Sequence, residues 1–193
     1  MTGAVLAGGQ SRRMGTNKAF VEVDGLPIIE RVLAVLDEVF ERRLIIADDV
    51  QLFHDLGAPV IPDYYKGSGS LGGIYTALLN SDSRQTFVTA CDMPDIKASA
   101  VKRLISTPRE DALVIIPYIN GRLHPMHALY DKRCLAPIEE MIKKGELRIM
   151  GLFDEIKIKK LTEAEFSGVD IAASVANINT RQELKSRTTM TER

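Results

Sequence analysis

Apolar runs of four to six residues alternate along the chain with stretches whose apolar positions recur every three or four residues. The runs Ala4–Ala7, Leu44–Ala47, Pro59–Pro62, Thr86–Cys91 and Leu113–Pro117 predict buried strands, being short and bounded by Gly, Asp or Pro. Between them, Ile29, Val32, Leu33, Leu36 and Phe40 fall at helical spacing behind Pro27, which a first helical position tolerates. Leu71, Ile74, Tyr75, Leu78 and Leu79 set the stripe of another helix, and Val101, Leu104 and Ile105 that of the next. Leu135, Ile138 and Ile142 mark one more, ending near Gly145. Asp48-Asp49 reads as the N-cap of a short helix running through Phe53 toward Gly57, in preference to a metal site. Ala19–Val23 reads as a short extended piece that turns at Asp24-Gly25.

The second half is less regular. Asn120-Gly121 is a strong two-residue hairpin turn. His124–Tyr130 follows as a strand with a polar start, and Ile156–Leu161 as another strand. On a strand, two histidines three apart point to opposite faces, so His124 and His127 would not hold one ion together. A helix is expected after Thr180, through Leu184, and a frayed polar tail over 185–193. Strands alternating with helices through the first 117 residues imply a three-layer αβα fold around a mainly parallel, Rossmann-like sheet. Residues 1–184 are expected to form a single domain, with no internal repeat.

Composition narrows the function classes. The chain has 193 residues, enough for one good core, with 45% apolar and 26% charged residues. A formal net charge of −1 gives no global electrostatic case for nucleic acid or an anionic membrane, though a local basic patch still suits a small anion. Cys91 and Cys134 lack metal-type spacing and read as buried structural thiols. No basic segment precedes a long apolar run, and no stretch reaches the roughly 18 apolar residues of a membrane span, so a cytoplasmic monomer is expected.

The candidate chemistry sits where predicted strands end. After Leu6-Ala7 come Gly8-Gly9, then the polar loop with Arg12 and Arg13, then Gly15 and Lys18. Glycines allow positive φ and close backbone approach, and successive N–H groups in such a turn form an anion-binding concavity. A phosphate chain is the ligand this suggests; the bland alternative is a solvated surface loop. Five residues separate Gly9 from Gly15 and Lys18 lies three beyond, so neither the P-loop nor the G-x-G-x-x-G fingerprint is present. Four glycines between 67 and 73 predict a loop running into a helix whose positive end faces a ligand. Asp63 and Asp92 each follow a predicted strand, where ligands of open α/β sheets collect. A turn-forming or capping role is the alternative for Asp92. Together, Gly8/Gly9, Asp63 and Asp92 are expected to line one crevice.

The stretch L-A-G-G-x-S-x-R-M-G-x-x-K over Leu6–Lys18 resembles the signature of molybdenum cofactor guanylyltransferases, the MobA family. The family usually has Asp before the lysine; this chain has Asn17. Gly69-Ser70-Leu71-Gly72-Gly73-Ile74 resembles the family's G-P-L-G-G-I, with Ser70 for proline, and Cys91-Asp92-Met93-Pro94 its metal-binding turn. His124-Pro125-x-x-Ala128-Leu129 resembles H-P-x-x-A-L, and Asn177-Ile178-Asn179-Thr180 the N-I-N-T/P ending. Gly145-Glu146-Leu147-Arg148 resembles G-E-R-R, with Leu147 replacing one arginine.

The resemblance implies transfer of GMP from GTP to the phosphate of molybdopterin-bound molybdenum cofactor, with Mg²⁺ as cofactor and pyrophosphate released. It implies that Leu6, Ala7, Gly8 and Gly9 hold the nucleotide through backbone groups, with Arg13 beside them. Lys18 contacts the phosphates, Asp63 the guanine side, Gly72 lines the pocket and Asp92 binds the metal. His124, Arg148, Asn177 and Asn179 face the acceptor. Transient contact with cofactor-delivering or molybdoenzyme partner proteins is also implied. Two alternatives remain at this level: a cytidylyl- or sugar-phosphate nucleotidyltransferase on the same scaffold, and a GTP-binding subunit without turnover.

Overall fold

A computed structural model describes residues 1–8 and 17–178. The glycine-basic loop after Gly8, and everything from Asn179 on, including the helix and tail expected there, lie outside the described residues. The strands are β1 (Thr2–Leu6), β2 (Glu22–Val23), β3 (Leu26–Pro27), β4 (Arg42–Ile46), β5 (Val60–Ile61), β6 (Gln85–Ala90), β7 (Val114–Ile119), β8 (Arg122–Leu123), β9 (His127–Asp131) and β10 (Ile158–Leu161). The helices are α1 (Ile28–Val39), α2 (Val50–Phe53), α3 (Gly69–Asn80), α4 (Ala98–Ser106), α5 (Leu135–Lys144), α6 (Ile149–Glu155) and α7 (Ile171–Ser174).

The main sheet runs β10-β7-β9-β6-β1-β4-β5, with β8 folded back on β7. β6, β1, β4 and β5 pair in parallel, as do β10 and β7. Alternation of side chains along each strand divides the core in two. Val5, Ile45, Phe87, Ile115 and Leu129 face one layer with α1 and α4. Ala4, Leu44, Val88, Val114 and Tyr130 face the other with α3 and α5. Burial on both faces is why these strands read as continuous apolar runs. The expected three-layer, mainly parallel α/β fold is present.

Several elements differ from the pattern reading. Ala19–Val23 is not wholly extended: Lys18–Phe20 forms a 3-10 turn because the Asn17 side chain accepts from Ala19 N at 3.1 Å, and only Glu22–Val23 is strand. Pro27 ends the small β2–β3 hairpin and flanks α1, which begins at Ile28. His124–Pro125–Met126 is a turn, closed by His127 N donating to His124 O at 3.0 Å, so the strand starts at His127. That strand is antiparallel to both its neighbours, β6 and β7. The short helix α6 has too few apolar repeats to have been read. Leu79 is 42% exposed, while Thr76 and Ala77 are buried instead.

The glycine-rich stretch is the largest correction. α3 begins at Gly69, so Gly72 and Gly73 are helical rather than loop. Packing, not turning, requires them. A Cβ on Gly73 would stand 2.8 Å from the Leu6 side chain, and one on Gly72 would stand 2.8 Å from the Tyr65 carbonyl oxygen. The missing side chains let α3 lie against the end of β1 and let the 64–68 loop fold over its first turn.

Two outcomes follow from this packing. Gly72→Ala must displace backbone at Tyr65, so it is expected to cost about 1–3 kcal/mol in chemical denaturation, the range for overpacking a filled site. His127 is fully buried edge-on to Phe87 (5.2 Å between ring centroids), and neither ring nitrogen has a partner among the described residues. Burial lowers its pKa to about 3 from 6.5. Its folded-state pKa is depressed, so its contribution is complete above pH 6.5 and is lost as pH falls from there toward 3, at up to about 1.4 kcal/mol per pH unit. Urea titrations of wild type and His127→Leu over that range should show the variant losing stability less steeply.

Candidate active site

Register builds the site. Leu6 pairs with Ile46 on one side and Ala90 on the other, and Ile46 pairs with Ile61. These four residues lie in one row across the sheet. Two residues beyond them, at the strands' carboxyl ends, stand Asp63, Asp48, Gly8 and Asp92 in spatial order. At roughly 4.8 Å between strands, the rim from Asp63 to Asp92 spans about 14 Å. Single backbone bonds tie its members together. Ala7 N and Gly8 N donate to Ile46 O at 2.9 and 3.1 Å, Cys91 N to Leu6 O at 3.1 Å, and Ala47 N to Ile61 O at 3.0 Å.

Those bonds alter the expected part of Gly8. Its φ is not positive, and its N–H is already used. What the structure shows of it is its place beside Asp63: a Cβ there would stand in ordinary contact, 3.6 Å, with an Asp63 carboxylate oxygen. Asp48, read from sequence as half of an N-cap in preference to a metal site, stands at the rim; Asp49 alone caps α2, accepting from Leu52 N at 3.1 Å. Its signal was its distance from the end of β4, the same two residues as at Asp63 and Asp92.

Both expected carboxylates carry an unsatisfied buried oxygen, Oδ1 in each case. Burial pushes Asp63 up to about 6, aided by the Asp48 charge, and the Thr76 hydroxyl opposes the rise. Thr76 is itself buried, donates to Gly72 O and accepts from Tyr64 N at 2.9 Å each. Burial also raises Asp92, and the Lys18 ammonium opposes it, as it does at Cys91. Lys18 and Asp92 therefore share one side of the molecule. A buried carboxylate oxygen with no hydrogen-bond donor suits a hard divalent cation that takes its remaining ligands from water and phosphate. No cluster of three or more metal-type side chains occurs among the described residues, so Asp92 alone or with one further side chain is the arrangement that fits.

The remaining residues divide. Asn177 lies next to Ile178, whose N–H donates to Asp92 O at 2.9 Å, so the two segments meet. His124 lies beside the end of β7, with Nε2 3.4 Å from Ile119 O, and burial lowers its pKa. Arg148 is exposed before α6. α5 starts from the opposite edge, where Asp131 pairs with Gln85, and returns toward the rim before Arg148. The structure shows no contact between Arg148 and the rim carboxylates. Gly9, Arg13 and Asn179 lie outside the described residues.

A mainly parallel αβα sheet of this order, with polar residues gathered along the strands' carboxyl edge, is a Rossmann-like nucleotidyltransferase fold. The chain belongs to the MobA-like NTP transferase family, whose domain profile matches residues 3–158. It is 32% identical over 187 residues to a molybdenum cofactor guanylyltransferase of Desulfosudis oleivorans, covering 96% of this chain and 93% of that one. It superposes with a TM-score of 0.85 and 27% identity on the molybdopterin-guanine dinucleotide biosynthesis protein A of Archaeoglobus fulgidus, covering 100% and 99% of the two chains. A 2-C-methyl-D-erythritol 4-phosphate cytidylyltransferase of Thermus thermophilus shares the fold at 13% identity, with a TM-score of 0.67 and 98% of each chain covered. The protein is thus a nucleotidyltransferase, which moves a nucleotide moiety onto a phosphate acceptor, and its family implies a nucleotide-bound divalent metal. No helix among the described residues is long and apolar enough to cross a membrane.

The departure at Asn17 has a local explanation: the side chain before the lysine caps the turn that carries Lys18, and Asn and Asp cap equally well. Asn17→Asp should leave stability within about 0.5 kcal/mol, whereas Asn17→Ala should cost about 1 kcal/mol, measured by denaturant unfolding.

Proposed function

We propose that the chain transfers GMP from GTP to the terminal phosphate of molybdenum-bearing molybdopterin, giving the guanine dinucleotide form of the cofactor and pyrophosphate. The observation that carries this reading is the half-buried Asp92, whose buried Oδ1 is unpaired and whose carboxyl lies within reach of the Lys18 charge, in a chain of this family. Asp63 and the backbone at Leu6–Gly8 take the base. Guanine offers a ring N–H beside an amino group, a pair of donors that a carboxylate with an unpaired oxygen can accept, whereas cytosine offers its amino donor alone. The N–H groups of Ala7 and Gly8 are bonded within the sheet, which leaves their carbonyls as the backbone groups to serve the nucleotide. Arg13 and Gly9 serve the phosphates, and Gly72 keeps the first turn of α3 close to the pocket.

The acceptor's phosphate oxygen forms a bond to the α-phosphorus while the bond to the β,γ-pyrophosphate breaks, and the electron pair leaves with pyrophosphate. A phosphate monoester has a second pKa near about 6, so the attacking oxygen is already deprotonated at neutral pH and no general base is needed. The protein's part is placement and charge neutralisation. Lys18 meets the growing negative charge on the leaving group, and Asp92 fixes the metal. When bound, Mg²⁺ supplies further neutralisation across the phosphates. His124 and Asn177 orient the acceptor on the β9 side of the rim, and Arg148 and Asn179 serve as further acceptor contacts. The protein acts in the cytoplasm as a monomer, in transient contact with proteins that deliver or receive the cofactor.

Two measurements check this reading. With acceptor present, pyrophosphate release scored across the four nucleoside triphosphates should favour GTP; preference for CTP would end the guanylyl assignment. GTP binding without dinucleotide formation would instead make the chain a nucleotide-binding subunit. Asp92→Asn should lower turnover by roughly 10²-fold or more, the scale of losing one electrostatic stabiliser, with an unchanged melting temperature.

A further inference from the structure

The turn that carries Asp92 is held at its middle by Arg31, whose Nε donates to Pro94 O at 3.1 Å. Between Asp92 and Lys97 the internal backbone bond is Ile96 N to Met93 O, long at 3.4 Å. Its two ends are held from outside, by one short segment near the end of the described chain. Lys97 N donates to Ser174 Oγ at 2.9 Å, and Ile178 N donates to Asp92 O at 2.9 Å. The carbonyl of Val175, between these two anchors, faces the His124 imidazole. Ser174, Val175 and Ile178 are all buried, at 0%, 4% and 3% exposure. Asp170 fixes the start of α7 by accepting from Ala173 N at 3.0 Å. The segment is thus seated in the core, touching the turn after β6 and the loop before β9, which are neighbouring strands.

We propose that Ser174–Ile178 is a strap that holds the Asp92 turn against the His124 loop, with Ser174 acting as a positioning residue for the metal-binding carboxylate. The inference rests on the reading of Asp92 as metal ligand. A carboxylate ligand is only as well placed as the backbone behind it, and groups that orient a ligand from outside the coordination sphere commonly govern its affinity for metal. Both ends of the six-residue turn, Asp92 and Lys97, are tied to this strap, with Arg31 holding Pro94 between them, so loosening the Lys97 end leaves Asp92 less firmly placed. Because the strap also borders the acceptor side, it keeps the metal and the acceptor loop in one fixed relation.

The test is Mn²⁺ binding in the presence of GTP, followed by loss of the free-ion EPR signal, alongside thermal melting and the Mg²⁺ dependence of turnover. Ser174→Ala removes the acceptor for Lys97 N and should weaken Mn²⁺ binding about tenfold. The Mg²⁺ concentration for half-maximal activity should rise by a similar factor. Ser174→Thr, which keeps the hydroxyl, should restore both. Ser174→Cys, nearly the same size with a weak sulfur acceptor, should fall between them and serves if the alanine variant folds poorly. A Ser174→Ala protein with a lowered melting temperature but wild-type Mn²⁺ affinity would overturn the proposal, leaving Ser174 merely structural. Asp92→Asn in the same titration separates the two readings. If it loses Mn²⁺ binding while Ser174→Ala keeps it, the strap alone fails; if it keeps wild-type affinity, the metal assignment fails and the strap with it.

Discussion

Parallel register is the constraint on which the rest of this molecule depends. Leu6, Ile46, Ile61 and Ala90 align in one row, so whatever follows each by two residues reaches the same rim. Asp48, Asp63 and Asp92 collect there from widely separated parts of the chain, with Gly8 between them. Carboxylates so placed invite a cation or a donor-rich ligand, and at Asp63 burial first and the Asp48 charge second raise the pKa. A one-residue slip of any strand would turn its rim residue to the opposite face and dissolve the arrangement. Strands with both faces buried cannot slip cheaply, because each carries apolar side chains into two separate cores.

The far half of the sheet serves a different need. β9 enters antiparallel between β6 and β7, so its beginning, not its end, lies at the rim. That reversal brings the His124 turn beside the end of β7 and the strap beneath it. The parallel half presents strand ends suited to a nucleotide. The reversed strand presents a loop suited to whatever receives the nucleotide. Buried ionic structure at the opposite edge holds the reversal in place: Asp131, at the end of β9, is fully buried and accepts from Arg84, Arg109 and Arg133. These contacts hold its carboxyl well below the usual range despite burial.

Much of the fold could be read directly from residue order. Buried parallel strands advertise themselves as short apolar runs, and amphipathic helices by their stripe, since both signals are local. Strand ends at Asp63 and Asp92 were legible for the same reason, and so were the turns at Asp24-Gly25 and Asn120-Gly121, where Asp24 and Asn120 indeed take positive φ. The glycine stretch misled because glycine marks two things alike: a turn, and a helix face pressed against backbone. Only the contacts to Tyr65 and Leu6 tell them apart.

Sequence alone determined the order of strands and helices, the layers they form and the chemistry at several strand ends, because period and composition act over a few residues. It also carried enough motif to indicate the family. Tertiary structure decided which ends become neighbours: that Asp48 joins Asp63, that the Lys18 charge reaches Asp92, that β9 runs backward and that Ser174 bonds to a residue 77 positions earlier in the chain. Those facts depend on pairing across the sheet and on burial, which no stretch of chain specifies until the whole of it has folded.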